Sequence, residues 1–285
     1  MSALIRIVWF VALTWVLAAP LSPARAQMDQ QALARTILGS DQRAAKLALD
    51  EATRALAPAE MGPELRAALI AVLERQNEVY LTYTKMMASG VVDGIEDPNE
   101  FPPAMQEFWR EGYIFLVEAV IALRDPLAIP ALAGAVGHGD RVARALAEFG
   151  EEAAPALLSV AEGGAREEDQ AIFAMRALTL MVEDPKGQRL SRSTLDRMRR
   201  LVREQLTTET QYPSMIRSWS NLRAIRAEAA ISLALTLGDP SLREVVHSLA
   251  RDSESVRRLG VEDAANMERI QRHAAEALAR PPRRR

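Results

Sequence analysis

The chain has no cysteine, only three histidines and just 5% aromatic residues among its 285. Without thiols it can form no disulfide, no thiolate metal site and no cysteine nucleophile. His138, His247 and His273 are scattered along the sequence, so groups that titrate near neutral pH are few. Neither sign of charge dominates, because 35 Lys+Arg stand against 38 Asp+Glu for a formal net charge of −3. That balance argues against a dedicated nucleic-acid binder, and a hydrophobic fraction of 49% argues against a disordered chain. There is no glycine-rich phosphate loop, no Gly-x-Ser-x-Gly elbow and no Ser-x-x-Lys pair with its companions. The sequence therefore assigns no catalytic residue, cofactor or metal, and a non-enzymatic role is expected.

The first 26 residues have the three parts of a secretory signal: Arg6, an apolar run from Ile7 to Ala19, and the small-residue site Ala24-Arg25-Ala26 after Pro20. The run is shorter than the ~20 residues that span a bilayer, which favours cleavage over an uncleaved anchor. The mature chain is expected to begin at Gln27 and to be periplasmic or secreted, with no transmembrane segment after cleavage. No cysteine follows the run to accept a lipid. Cleavage removes Arg6 and Arg25 and takes the net charge from −3 to −5. At the other end, residues 280–285 form a basic tail, Arg280-Pro281-Pro282-Arg283-Arg284-Arg285, without apolar residues. It is expected to be disordered, either as a solvated end or as an anchor for anionic polymer.

Between these ends, apolar residues recur at intervals of three and four, as in Leu65, Leu69, Val72 and Val79, or Leu195, Met198, Leu201 and Val202. This is the period of amphipathic helices, and no alternating β-branched run competes with it. Pro and Gly separate the periodic stretches at Ala57-Pro58, Ser89-Gly90, Asp125-Pro126, Gly137-His138-Gly139, Gly163-Gly164, Asp184-Pro185 and Gly238-Asp239-Pro240. Helix starts are expected at Pro63 and Pro102-Pro103, at Asp140 as a cap, and at Ser193 with Asp196 as a capping-box variant. About a dozen helices joined by short turns follow from this punctuation.

The dipeptide Ala-Leu recurs late in successive helices at 122–123, 145–146, 177–178, 234–235 and 277–278. It fits stacked helical hairpins in which Ala permits close approach and Leu fills the seam, although an Ala-rich helical chain also repeats this pair by chance. The stretch Asp140-Arg141-Val142-Ala143-Arg144-Ala145-Leu146-Ala147-Glu148-Phe149-Gly150, followed by Ala154-Pro155-Ala156-Leu157-Leu158, resembles a HEAT-like repeat of the type named in phycobilisome lyases. Asp239-Pro240 fits the inter-helix turn of that repeat. Weaker copies lie around 122–136, 226–250 and 270–279. The resemblance implies an all-α fold, an α-α superhelix or HEAT-like solenoid of stacked antiparallel helix pairs, and it implies no activity. The expected organisation is a signal at 1–26, an N-terminal helical region at 27–120 that is a cap or divergent repeats, HEAT-like repeats at 121–279 and the tail at 280–285. The spacing of Leu123, Leu146, Leu178 and Leu235 drifts, which leaves the repeat count open.

Four local features invite a functional reading. The loop Asp93-Gly94-Ile95-Glu96-Asp97-Pro98-Asn99-Glu100 has four carboxylates that could hold Ca²⁺, but it lacks the ligand order of an EF-hand and reads better as a solvated acidic loop. Gly137-His138-Gly139-Asp140 reads as a helix turn in which two glycines supply left-handed backbone and Asp140 caps the next helix, rather than as a His-carboxylate site. His247 and His273 read as helix-surface or groove residues. Seven aromatics crowd into residues 80–115, namely Tyr80, Tyr83, Phe101, Phe108, Trp109, Tyr113 and Phe115. They are either binding anchors, with Tyr80, Tyr83, Phe101 and Trp109 as candidates, or a local core to which Tyr80, Tyr83, Phe108 and Phe115 belong by helical spacing.

The fourth feature is basic: Lys186, Arg189, Arg192, Arg197, Arg199, Arg200 and Arg203 face only Asp196 across residues 186–203. Arg197, Arg200 and Arg203 form a drifting helical ridge that could bind carboxylates or phosphates. The alternative is a solvated face, or one paired with the acidic stretch Glu162, Glu167, Glu168 and Asp169. The sequence thus points to an exported scaffold that binds a protein or peptide partner in the cell envelope. A surface for anionic lipid or polymer is the alternative, an unrecognised hydrolase is third, and nucleic acid is not an expected partner.

Overall fold

The computed structural model describes residues 29–88, 112–163, 168–184, 190–209 and 217–280. Residues 1–28, which hold the proposed signal, and 281–285 of the tail lie outside that set. Among the described residues there are thirteen α-helices and no strand. The chain divides into two compact units, Met1–Ala68 and Leu69–Arg285. No described helix is long and apolar enough to cross a membrane.

In the first unit, α1 (Gln30–Leu38) packs on α2 (Gln42–Ala55), and α3 (Pro63–Ala88) begins. Asp29 and Asp41 cap the first two helices, accepting from Ala32 N and from Arg43 N and Ala44 N. The turn between α2 and α3 is held by side chains. Gln30 Nε2 donates to Glu60 O at 3.0 Å, its Oε1 accepts from Gly62 N at 2.6 Å, and Arg66 donates to the Met61 and Pro58 carbonyls.

The second unit carries nine further helices of the main array and one short one. They are α4 (Gly112–Leu123), α5 (Ile129–Gly134), α6 (Asp140–Glu148), α7 (Ala154–Ala161), α8 (Glu168–Glu183), α9 (Arg192–Thr207), α10 (Arg217–Leu237), α11 (Pro240–Arg251), the single-turn α12 (Ser253–Arg257) and α13 (Ala264–Ala279). Their packing follows one rule. Helices α4, α6, α8, α10 and α13 each touch the next of that set, and α5, α7, α9 and α11 do the same. Successive helices from the two sets also pack together, as α5 on α6, α8 on α7, α9 on α10 and α11 on α13. Two layers built from alternate helices are the signature of an α-α solenoid, in which each pair buries its apolar stripe only by stacking on its neighbours. The first helices of the pairs start at Gly112, Asp140, Glu168 and Arg217, so the first two steps are 28 residues and the third is 49. Drift in the Leu spacing has its counterpart in the longer helices of the later pairs.

The core between the layers is aliphatic and small. Leu146, Leu157 and Leu178 are fully buried, with Leu123 also inside. The Ala-Leu marker fails at two of its five places, because Leu235 and Leu278 are only half-buried while Leu233, Ala234 and Leu237 fill the seam of α10. Ala122 is exposed, so the small residue of the dipeptide does not always face a neighbour.

Turn chemistry explains the joints. Gly139 (φ 122°) and Gly238 (φ 69°) adopt backbone that side chains rarely tolerate, and each opens a turn into α6 or α11. Asp239 then caps α11 by accepting from Ser241 N, as the Asp239-Pro240 turn implies. Two expected caps differ. Gly139, not Asp140, stands at the cap of α6, and Asp140 lies in its first turn, where a carboxylate favours the positive end of the helix. At α9 the cap is Ser191, whose hydroxyl accepts from Thr194 N at 3.1 Å, and Ser193 is already helical.

Three buried polar side chains donate to backbone carbonyls of other elements. Asn77 Nδ2 of α3 donates to Ala131 O of α5 at 2.7 Å, Gln170 Nε2 of α8 donates to Gly134 O of α5 at 3.0 Å, and Arg226 Nη2 of α10 donates to the Ala161 and Gly163 carbonyls at the end of α7. Each supplies a donor to a carbonyl in or just after a short second-layer helix; the Ala131 carbonyl also accepts from Ala135 N.

Candidate functional surface

Two regions of the second unit carry the residues the sequence singles out, α4 with the end of α3, and α9 with its flanking helices. On α4 the buried stripe is Tyr113, Leu116, Val117, Val120 and Leu123. Phe115 is two residues, about 200°, around the helix from Tyr113 and so leaves the core. It is 67% exposed and its neighbour Ile114 69% exposed, which corrects the assignment of Phe115 to a local core. Leu127, just beyond α4, is also exposed. Tyr113 is instead the buried aromatic. Its hydroxyl donates to Asn77 Oδ1 and its ring lies against His138 with centroids 4.4 Å apart at 51°. Burial pushes its phenol well above the ordinary tyrosine range, so it is a neutral donor at any physiological pH. Tyr80 and Tyr83 fall on α3, while Phe101, Phe108, Trp109 and the acidic loop 93–100 lie outside the described residues.

The His138 turn is structural in its visible contacts. The imidazole packs on Tyr113, and the Asp140 carboxylate accepts from Arg176 Nη1 of α8 at 3.1 Å rather than from the histidine. Arg176 in turn lies 4.9 Å from the centre of the Phe173 ring. His273 approaches Ser232 Oγ at 3.3 Å, but that hydroxyl donates to Glu228 O, and the Glu228 carboxylate is held by Arg269 at 2.6 and 2.8 Å. The bond from the serine hydroxyl to Glu228 O is the i to i−4 back-bond common to helical serines.

On α9 the buried stripe is Thr194, Met198, Leu201, Val202 and Leu206, with Leu195 half-buried at its edge. The three ridge arginines diverge in use. Arg197 forms a two-pronged pair with Glu162 after α7, Nε to Oε1 at 2.8 Å and Nη2 to Oε2 at 2.5 Å. This hydrogen-bonded pair, the larger effect, holds the guanidinium charged more firmly than usual against a small opposing influence of burial. Arg203 Nη2 donates to Ser241 Oγ of α11 at 2.6 Å. Arg200 lies between them, exposed, and has no ion-pair partner among the described residues. Arg199 reaches Asp196 at 2.6 Å and Asp239 at 3.6 Å. One arginine therefore ties α9 to the preceding pair, two tie it to the start of α11, and Arg200 is left on the outer surface. The pairing with Glu162 is the alternative that the acidic stretch suggests. Of that stretch, Glu167 lies outside the described residues, as do Lys186 and Arg189 on the basic side.

The start of α9 has a partner that sequence inspection misses. Glu151, in the turn between α6 and α7, accepts from Ser191 N at 2.9 Å and from Thr194 Oγ1 at 2.6 Å. Loss of solvent pushes this carboxyl up, but the hydrogen bonds from Thr194 and Ser191 outweigh it and hold Glu151 below the ordinary glutamate value. No family model, curated protein or solved structure matches the chain. What stands is the class: an all-α protein with stacked helix pairs in a helical-repeat arrangement.

Proposed function

We propose that the protein is an exported, non-enzymatic helical-repeat scaffold of the HEAT-like type that binds a protein or peptide partner in the cell envelope. The observation that supports it is the exposure of two adjacent large apolar side chains, Ile114 and Phe115, on the first helix of a stacked array. Two adjacent large apolar side chains exposed on one helix offer an apolar contact surface, and repeat arrays use their long surfaces for binding. The partner is a protein segment that offers an apolar side chain to this face, with Tyr80, Tyr83, Phe101 and Trp109 of the same aromatic segment as further anchors. The rival reading, an anionic lipid or polymer held by Arg197, Arg200 and Arg203, is weakened because Glu162 and Ser241 already engage two of the three.

The signal-like sequence pattern of residues 1–26 is what supports the location. Mass analysis of the N-terminus of the cell-derived protein tests it, with Gln27 as the expected first residue and intact Met1 in a membrane fraction as the contrary result. A photo-crosslinking residue at position 115 tests the binding face in intact cells. One discrete protein adduct, lost with Ile114→Ser, supports the proposal, and no adduct above that formed from position 272 on α13 contradicts it.

A further inference from the structure

We draw no further inference here: the strongest candidate, the partly exposed apolar strip of α8 formed by Phe173 and Leu180 beside Arg176, is an unpartnered helix face, and nothing in the structure shows what covers it.

Discussion

Truncating Leu146 to alanine tests the stacking directly. Its side chain has 0% exposure at the seam of the second pair, between helices that have no other means of burying their stripes. Removing three buried carbons forfeits about 0.8 kcal/mol each, roughly 2.4 kcal/mol in all. The cavity left behind brings the expected loss to about 2–5 kcal/mol. Leu235→Ala is the informative comparison. The Ala-Leu marker makes it equivalent to Leu146, but the structure leaves Leu235 half-buried and places Leu237 inside. Leu235→Ala should therefore cost roughly half as much, about 1–2 kcal/mol, and Leu237→Ala should match Leu146→Ala. Urea titration followed by circular dichroism measures all three, with unchanged slopes required before the midpoints are compared. Equal losses for Leu235→Ala and Leu237→Ala would refute the register of α10 and with it the pairing of α10 with α11.

Three further expectations concern polar contacts. A Cβ at Gly134 would sit 2.6 Å from Asn77 Nδ2, and Asn77 is fixed by Tyr113 and Ala131, so Gly134→Ala should destabilise by about 1–3 kcal/mol. In a double-mutant cycle on melting, Asn77→Ala should cost less in the Gly134→Ala background than alone, and strict additivity would contradict the close approach. Glu151 has a lowered folded pKa, so its stabilising effect is full above the ordinary value of 4.5 and is lost as the pH falls below that value through the lower folded one. The stability difference between wild type and Glu151→Gln should shrink only below about pH 4.5, and a difference that shrinks between pH 5 and 7 would show that another group governs it. Arg200→Ala should change stability by less than about 0.5 kcal/mol, whereas Arg197→Ala should lose up to about 1 kcal/mol that high salt partly removes, because its pair with Glu162 is partly exposed. Identical melting of the two variants at low salt would argue against the tie between α7 and α9.

How much of this was legible in the sequence depends on the range of the interaction. Helical periodicity and the Gly and Pro turns are local, and among the described residues they place the helices and the joints at Gly139 and Gly238 correctly. The choice of which dipeptide member faces inward is not local, because adjacent residues differ by about 100° and the facing helix sets the phase. That is why Leu235 and Phe115 turn out differently from their spacing. The arginine ridge illustrates the same limit, since Glu162 and Ser241 come from chain 35 residues before and 38 after the arginines they engage. Asn77, Gln170 and Arg226 did leave a signal. Each sits four residues from a buried apolar position, Leu73, Ala174 and Ala230, and so falls on the inward face of its helix. A polar residue in that place needs a buried partner, although only the packed structure shows that the partner is a carbonyl in or just after another helix.

The claim that the array binds a protein through the apolar face of α4, and not an anionic surface through α9, is tested most directly by affinity across a salt series. The protein captured from position 115 is titrated against wild type, the Ile114→Ser/Phe115→Ser variant and Arg200→Ala. The account predicts that affinity falls at least tenfold in the first variant, is unchanged in the second, and depends weakly on salt. Full affinity in the Ile114→Ser/Phe115→Ser variant, with a steep loss in Arg200→Ala that high salt reproduces in wild type, would contradict it.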